Sequence, residues 1–249
     1  MAKQTGLFKI KGTLDNVTFY KSKDGNLAKM KTSLDGARIA TDPNFARTRE
    51  NGVEFGSSAS SGKLVRINLR PISMNASDNR IVARLTQLMS KIKNLDATSI
   101  RGARNVGVGI GTVAGKALLK GFEFNQNSLL GSILFKPYAV NTTTGVVTIA
   151  ALVTATDIVF PQGATHVSLT GGYANINFAT SVVDFKMTNV LNLAVTAPST
   201  AVTLTPTSVP AGTGTKVYLL KIEFFQQVNG VQYPLKNGAY NALKVIDVL

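Results

Sequence analysis

The chain has no cysteine, no tryptophan and one histidine, His166, in 249 residues. Without cysteine there is no disulfide, thiolate zinc site, iron–sulfur cluster or cysteine nucleophile. A single histidine excludes a multi-histidine metal site or mechanism within one chain. Charge is also scarce: Asp, Glu, Lys and Arg make up 16% of residues, against about 25% in ordinary soluble domains. No apolar run reaches the ~20 residues of a membrane-spanning helix. Residues 1–20 carry Lys3, Lys9, Lys11 and Asp15, with no apolar core of a secretory leader. The expectation is a cytoplasmic protein with no membrane partner, retained in the cell or released as a particle by lysis.

The charge that is present lies on one side. Lys and Arg total 27 against 13 acids, for a net charge of +14. Residues 1–120 hold 12 Lys and 9 Arg against 8 acids, or +13, whereas residues 121–249 hold 6 Lys, no Arg and 5 acids, or +1. This division reads as a basic module, 1–118, joined to a neutral one, 119–249.

The basic module opens as a short β-meander over residues 6–32, with turns at Leu14-Asp15-Asn16 and Lys23-Asp24-Gly25-Asn26. Lys9 and Lys11 share one predicted strand face, and Lys29 and Lys31 another. Such lysines either guard strand edges or face phosphates. Asp42-Pro43 has the form of an N-cap followed by proline at the first helical position, so a helix is predicted from about 43 to 70, stopped by Pro71. Its middle, Gly56-Ser57-Ser58-Ala59-Ser60-Ser61-Gly62, is poor helix material and marks a bend or a close backbone approach. A stronger helix is predicted over 78–95, where Ile81, Leu85, Leu88, Ile92 and Leu95 form an apolar stripe widened by Val82 and Met89. Residues 100–118 are glycine-rich and read as a flexible or tightly packed connector. Gly109-Ile110-Gly111-Thr112-Val113-Ala114 imitates a dinucleotide loop and Gly115-Lys116 the end of a phosphate loop. The first lacks a preceding strand and an acid ~20 residues on, and Ala117 stands where the second needs Ser or Thr.

From about residue 119 the pattern is β. Strands are predicted at 118–124, 132–139, 145–153, 165–170, 173–178, 182–188, 190–195, 200–205, 215–228, 231–235 and 240–248. Turn residues fall between them, Gly171-Gly172 and Asn229-Gly230 included. Leu220, Ile222 and Phe224 would face one side of strand 215–228, and Leu219, Lys221, Glu223 and Phe225 the other. The expected fold is therefore mainly β with an α-helical N-terminal part: a β-meander plus helices, then an antiparallel β-sandwich, jelly-roll-like or Ig-like.

Chemistry is thin. His166 and Ser168 share a strand face, but no nucleophile elbow surrounds them. Glu223, between Ile222 and Phe224, is a partly buried acid without a second positioned carboxylate. No metal-ligand spacing, cofactor motif or enzyme signature is present. With 7% aromatic residues and no tryptophan, sugar stacking is also disfavoured. Binding to DNA or RNA through backbone phosphates is better supported, because cations neutralise phosphates without any motif. The candidate residues are Lys9, Lys11, Lys21, Lys23, Lys29, Lys31, Arg38, Arg47, Arg49, Arg66, Arg70, Arg80, Arg84, Arg101 and Arg104. Phe8, Phe19 and Tyr20 lie among the N-terminal lysines and can stack on bases.

Several strings resemble a family of uncharacterised bacteroidete proteins. They are Met1 to Asp15, Asp42-Pro43 through Arg47-Thr48-Arg49-Glu50-Asn51-Gly52 with Glu54-Phe55-Gly56, Pro161 to His166, and Gln227 to Leu243. The resemblance implies a phage or mobile-element origin and carries over no catalytic residue. A basic module before a neutral, Thr-rich sandwich is the layout of many viral coat subunits. The leading expectation is thus a self-assembling structural protein, a phage-type virion coat or capsid subunit that partners itself in a large homo-oligomer. The alternative is a cytoplasmic, sequence-tolerant nucleic-acid-binding protein that does not assemble.

Overall fold

The computed structural model describes residues 2–31 and 36–249, with Lys236 and Asn237 by backbone alone. It is mainly β, with antiparallel sheets, and divides into two compact units, Met1–Arg49 and Glu50–Leu249.

The first unit contains β1 (Ala2–Lys3), β2 (Gly12–Leu14), β3 (Val17–Ser22) and β4 (Gly25–Met30), in the order β1-β4-β3-β2. Leu14 pairs with Val17 and Ser22 with Gly25, so both hairpins close on two residues, at the two turns the sequence marks. Residues 6–11 do not form the expected strand. Gln4 accepts a hydrogen bond from the Ile10 N–H at 2.9 Å, and the Lys9 ammonium donates to the Gln4 and Gly6 carbonyls at 2.8 and 2.6 Å. These side-chain bonds hold a loop closed and satisfy backbone groups that a strand would have paired. A short helix, α1 (Gly36–Thr41), precedes the Asp42 cap, whose carboxylate accepts from the Asn44 N–H. No described side chain of Met1–Arg49 is buried.

The helices continue with α2 (Ala46–Asn68), α3 (Arg70–Ser73), α4 (Ile81–Lys93), α5 (Val106–Gly109) and α6 (Val113–Leu119). The serine-rich stretch of α2 stays helical, and its purpose is close approach. A Cβ on Gly62 would sit 3.4 Å from the backbone of Leu85 and Thr86 in α4. The α4 stripe is buried at Ile81, Leu85, Leu88, Met89 and Ile92, whereas Val82 faces outward. The connector 100–118 is two short helices capped by Asn105 and Thr112, packed so closely that a Cβ on Gly109 would overlap the Ile92 carbonyl.

The rest comprises α7 (Leu130–Ile133), β5 (Ala139–Val140), β6 (Val147–Leu152), α8 (Thr154–Asp157), β7 (His166–Asn177), β8 (Val182–Ala194), β9 (Thr200–Leu204), β10 (Thr215–Val228), β11 (Val231–Pro234) and β12 (Ala242–Val248). One sheet runs β11-β10-β7-β8, with β12 also on β10, and a second runs β5-β6-β9. The predicted strands 118–124 and 132–139 are instead the end of α6, α7 and irregular chain. The Phe122 carbonyl accepts from Val245, and the Gly121 and Phe124 N–H groups donate to Val245 and Leu243. This segment therefore lines the edge of β12 without becoming a regular strand. Gly171-Gly172 is not a turn. It lies inside β7, where the Gly171 N–H donates to the Thr188 hydroxyl at 2.8 Å and a Cβ on Gly172 would meet Phe185 and Ile72. The extra residue in β8 makes a bulge here, and bulges bend and twist a sheet; the large sheet is curled.

Burial on both faces of β10 follows the predicted alternation. Val217 and Leu219, with Ala174, Ile176, Leu243 and Val245, pack against Leu69, Ile72, Leu85, Met89 and Ile92 of the helical layer. Tyr218, Leu220, Ile222 and Phe224 pack against Ile149, Leu152, Val202 and Leu204 of the smaller sheet. Three layers result: helices, large sheet, small sheet. Most of α2 and all of α3 to α6 belong to the same body as the sheets, so the division falls after Arg49 and not at the charge boundary of 118/119.

Candidate nucleic-acid interface

Strand register scatters the N-terminal lysines. Lys29 sits opposite Thr18 and Lys21 opposite Asn26, which puts the two lysines on opposite faces of the small sheet. Lys29 lies 5.9 Å from the centre of the Tyr20 ring. Lys23 occupies a hairpin turn, Lys31 follows β4, and Lys9 and Lys11 lie in or beside the loop closed by Gln4. Lys9 and Lys11 therefore do not share a strand face. Phe8 is 86% exposed in that loop. These lysines do not form one phosphate-facing stripe.

The arginines separate into two kinds. Arg38 pairs with Asp42 at 3.1 Å. Arg49 donates to the Ile39 and Asp42 carbonyls at 2.8 and 2.9 Å and so ties the turn before α2. Arg101 pairs with Glu50 at 3.5 Å. Arg84 donates to the Asp78 carboxylate and to the Glu123 and Phe124 carbonyls, and its guanidinium lies 5.1 Å from the Phe122 ring. Burial opposes ionisation of Asp78, yet the Gln126 and Arg80 N–H groups and then Arg84 hold its carboxyl below the usual range.

Arg104 is the most committed. It makes a forked pair with Glu54, at 2.9 and 2.8 Å, while Lys93 and the Gly102 N–H bind the same carboxylate. Glu54 is 1% exposed. Arg104 first, then Lys93 and Gly102, holds this carboxyl down to about 2 against the cost of burial. Planar guanidinium forks suit such buried pairs. Arg84 and Arg104 are therefore internal fasteners, unavailable to phosphate, although the sequence counts them with the others.

Arg66 and Arg70 differ: neither has a carboxylate partner among the described residues. Lys63, three residues before Arg66, shares the α2 face of Arg66. It was not among the sequence candidates, and the 3-4 spacing of Lys63, Arg66 and Arg70 is the signal that would have found it. Arg47 and Arg80 are exposed on the surface.

The remaining chemistry-bearing residues are engaged locally. The His166 ring nitrogen Nδ1 lies 3.0 Å from the Thr165 hydroxyl. Glu223 is met by Lys221 at 3.0 Å, both largely buried. Among the described residues no group of acids and histidine is placed to hold a metal ion, and no helix is long and apolar enough to cross a membrane. Comparison with protein-family models, curated proteins and solved structures finds no match to this chain.

Proposed function

We propose that the chain is a self-assembling structural protein, a phage-type virion coat or capsid subunit, whose basic N-terminal part links subunits and faces nucleic acid. One observation carries the reading: the first unit has regular strand pairing but no buried described side chain. Leu7 is 91% exposed, and Phe8, Ile10, Leu14 and Met30 are exposed with it. A small sheet with no covered face is marginal by itself, and apolar side chains left in water mark a surface that a partner covers. The low charge of residues 121–249 agrees, because charged residues are depleted from the cores of protein interfaces. In this reading the two-sheet body is the jelly-roll-like or Ig-like tile of the shell. Residues 1–49 are the link, and the phage or mobile-element origin follows from the resemblance of the four strings quoted above. Subunits would be made in the cytoplasm and end in the particle. No reaction is assigned to the protein.

Electron microscopy of the purified full-length protein tests this directly. Particles or filaments are expected, and a strictly monodisperse monomer at every concentration sinks the idea. A second reading, a nucleic-acid-binding protein that does not assemble, is favoured by the unpaired Arg66 and Arg70. It predicts a monomer or dimer whose affinity falls steeply with salt.

A further inference from the structure

We infer that a cavity beside the C-terminal end of α2 binds the phosphodiester backbone of single-stranded nucleic acid. This rests on the nucleic-acid-facing part of the proposed function and is independent of assembly.

The cavity has a volume of about 320 Å³ and is lined by Arg66, Arg70, Ser73, Ser77, Met74 and Val82, among others. Its electrostatics come from the sequence: between Glu54 and Asp78 there is no acidic residue, and Lys63, Arg66 and Arg70 fall within that interval. Arg66, near the end of α2, and Arg70, at the start of α3, line the same cavity. With no carboxylate to satisfy them, their guanidinium forks are available to phosphate oxygens, which they match in geometry.

A second observation points to a ligand. Ser73 lines the cavity, and its hydroxyl, which makes no hydrogen bond among the described residues, is open to it. A phosphate oxygen held between the two arginines would accept this proton. Exposed apolar side chains stand beside the charges: Met74 is 62% exposed, and Ile67 and Val82 about half. The faces of unstacked bases find apolar and polarisable contacts there. A duplex, whose bases are stacked inward, does not present those faces.

Fluorescence anisotropy of a labelled oligo-dT, titrated with full-length protein over a salt series, tests the inference. Replacing both arginines, Arg66→Gln with Arg70→Gln, should weaken binding at low salt by about tenfold or more, the size of one lost charge-assisted contact. The slope of log affinity against log salt should become shallower by about 1.4, for two phosphate contacts on a single strand. Met74→Ser should weaken binding and leave the slope unchanged. Circular dichroism should show both variants folded, since the side chains lie at the surface. No binding of oligo-dT at low salt, or an unchanged slope in the double variant, overturns the inference. Equal affinity for a matched duplex or for inorganic polyphosphate, with Met74→Ser without effect, overturns the single-strand assignment. Micrographs of the double variant separate this from assembly: particles that persist while binding is lost leave the coat reading intact.

Discussion

The described residues before Glu50 and residues 50–249 both pair their strands antiparallel, yet they bury their side chains very differently. Both regions contain antiparallel hairpins closed by two-residue turns. In the first, Leu7, Phe8, Leu14 and Met30 remain in solvent. In the second, one curled sheet is covered on both faces, and Leu169, Tyr173, Leu219, Leu220 and Ile222 are wholly buried. Hydrogen bonding sets local shape, but net stability comes mostly from apolar area removed from water. The second region therefore carries its own core, and in the assembly proposed above the first is covered by a neighbouring subunit.

The sharpest way to test this contrast is to strike the fastening of the second region. Glu54→Gln removes the charge that Arg104 and Lys93 share and leaves two cations facing a neutral, buried group. Breaking such a pair costs about 3–5 kcal/mol, to be read from chemical denaturation at neutral pH. The pH dependence has a definite sign. The Glu54 pKa is depressed from 4.5 to about 2, so its stabilisation is fully present above the unfolded value and is lost as pH falls from about 4.5 through 2. The gap between wild type and Glu54→Gln should close over that window, and a constant gap would refute the assignment.

Leu85→Ala, under Gly62 at the crossing of α2 and α4, should cost about 3 kcal/mol. A much smaller loss would mean that the helical layer is not part of the core. Gly230→Ala keeps the body intact but forces a side chain onto a residue at φ +80° in the β10–β11 hairpin. About 1 kcal/mol is expected, measured in the same denaturation series. The smallest effect on stability belongs to the first region. Leu7→Ser with Phe8→Ser should move the unfolding midpoint by less than about 0.5 kcal/mol while abolishing particles in electron micrographs. A large stability loss from that pair would erase the contrast, because it would show that the loop is already buried within one subunit.

How much of this was legible in the sequence depends on range. The hairpin at Asn229-Gly230 was plain, since both residues carry positive φ and link Val228 to Val231 as a two-residue turn requires. The α4 stripe and the two-faced β10 were legible from their periods of 3.6 and 2. Gly171-Gly172 misled, because a glycine pair signals a turn locally, while here it makes room for Thr188, Phe185 and Ile72 from distant parts of the chain. The cationic candidates divided in the same way. Nothing local distinguishes Arg104, clamped on a carboxylate fifty positions earlier, from Arg66, which has none.

Sequence alone determined the composition of the problem: no thiol chemistry, one histidine, a net positive charge carried almost wholly by the first half, and hairpins and an amphipathic helix whose patterns span a few residues. Local sterics and periodicity suffice for those. Tertiary structure decided which arginines are fasteners and which are free, why the glycines are there, and that the boundary lies after Arg49 and not where the charge changes. Each of these depends on which distant residues arrive at the same place, and burial and pairing exist only once they have.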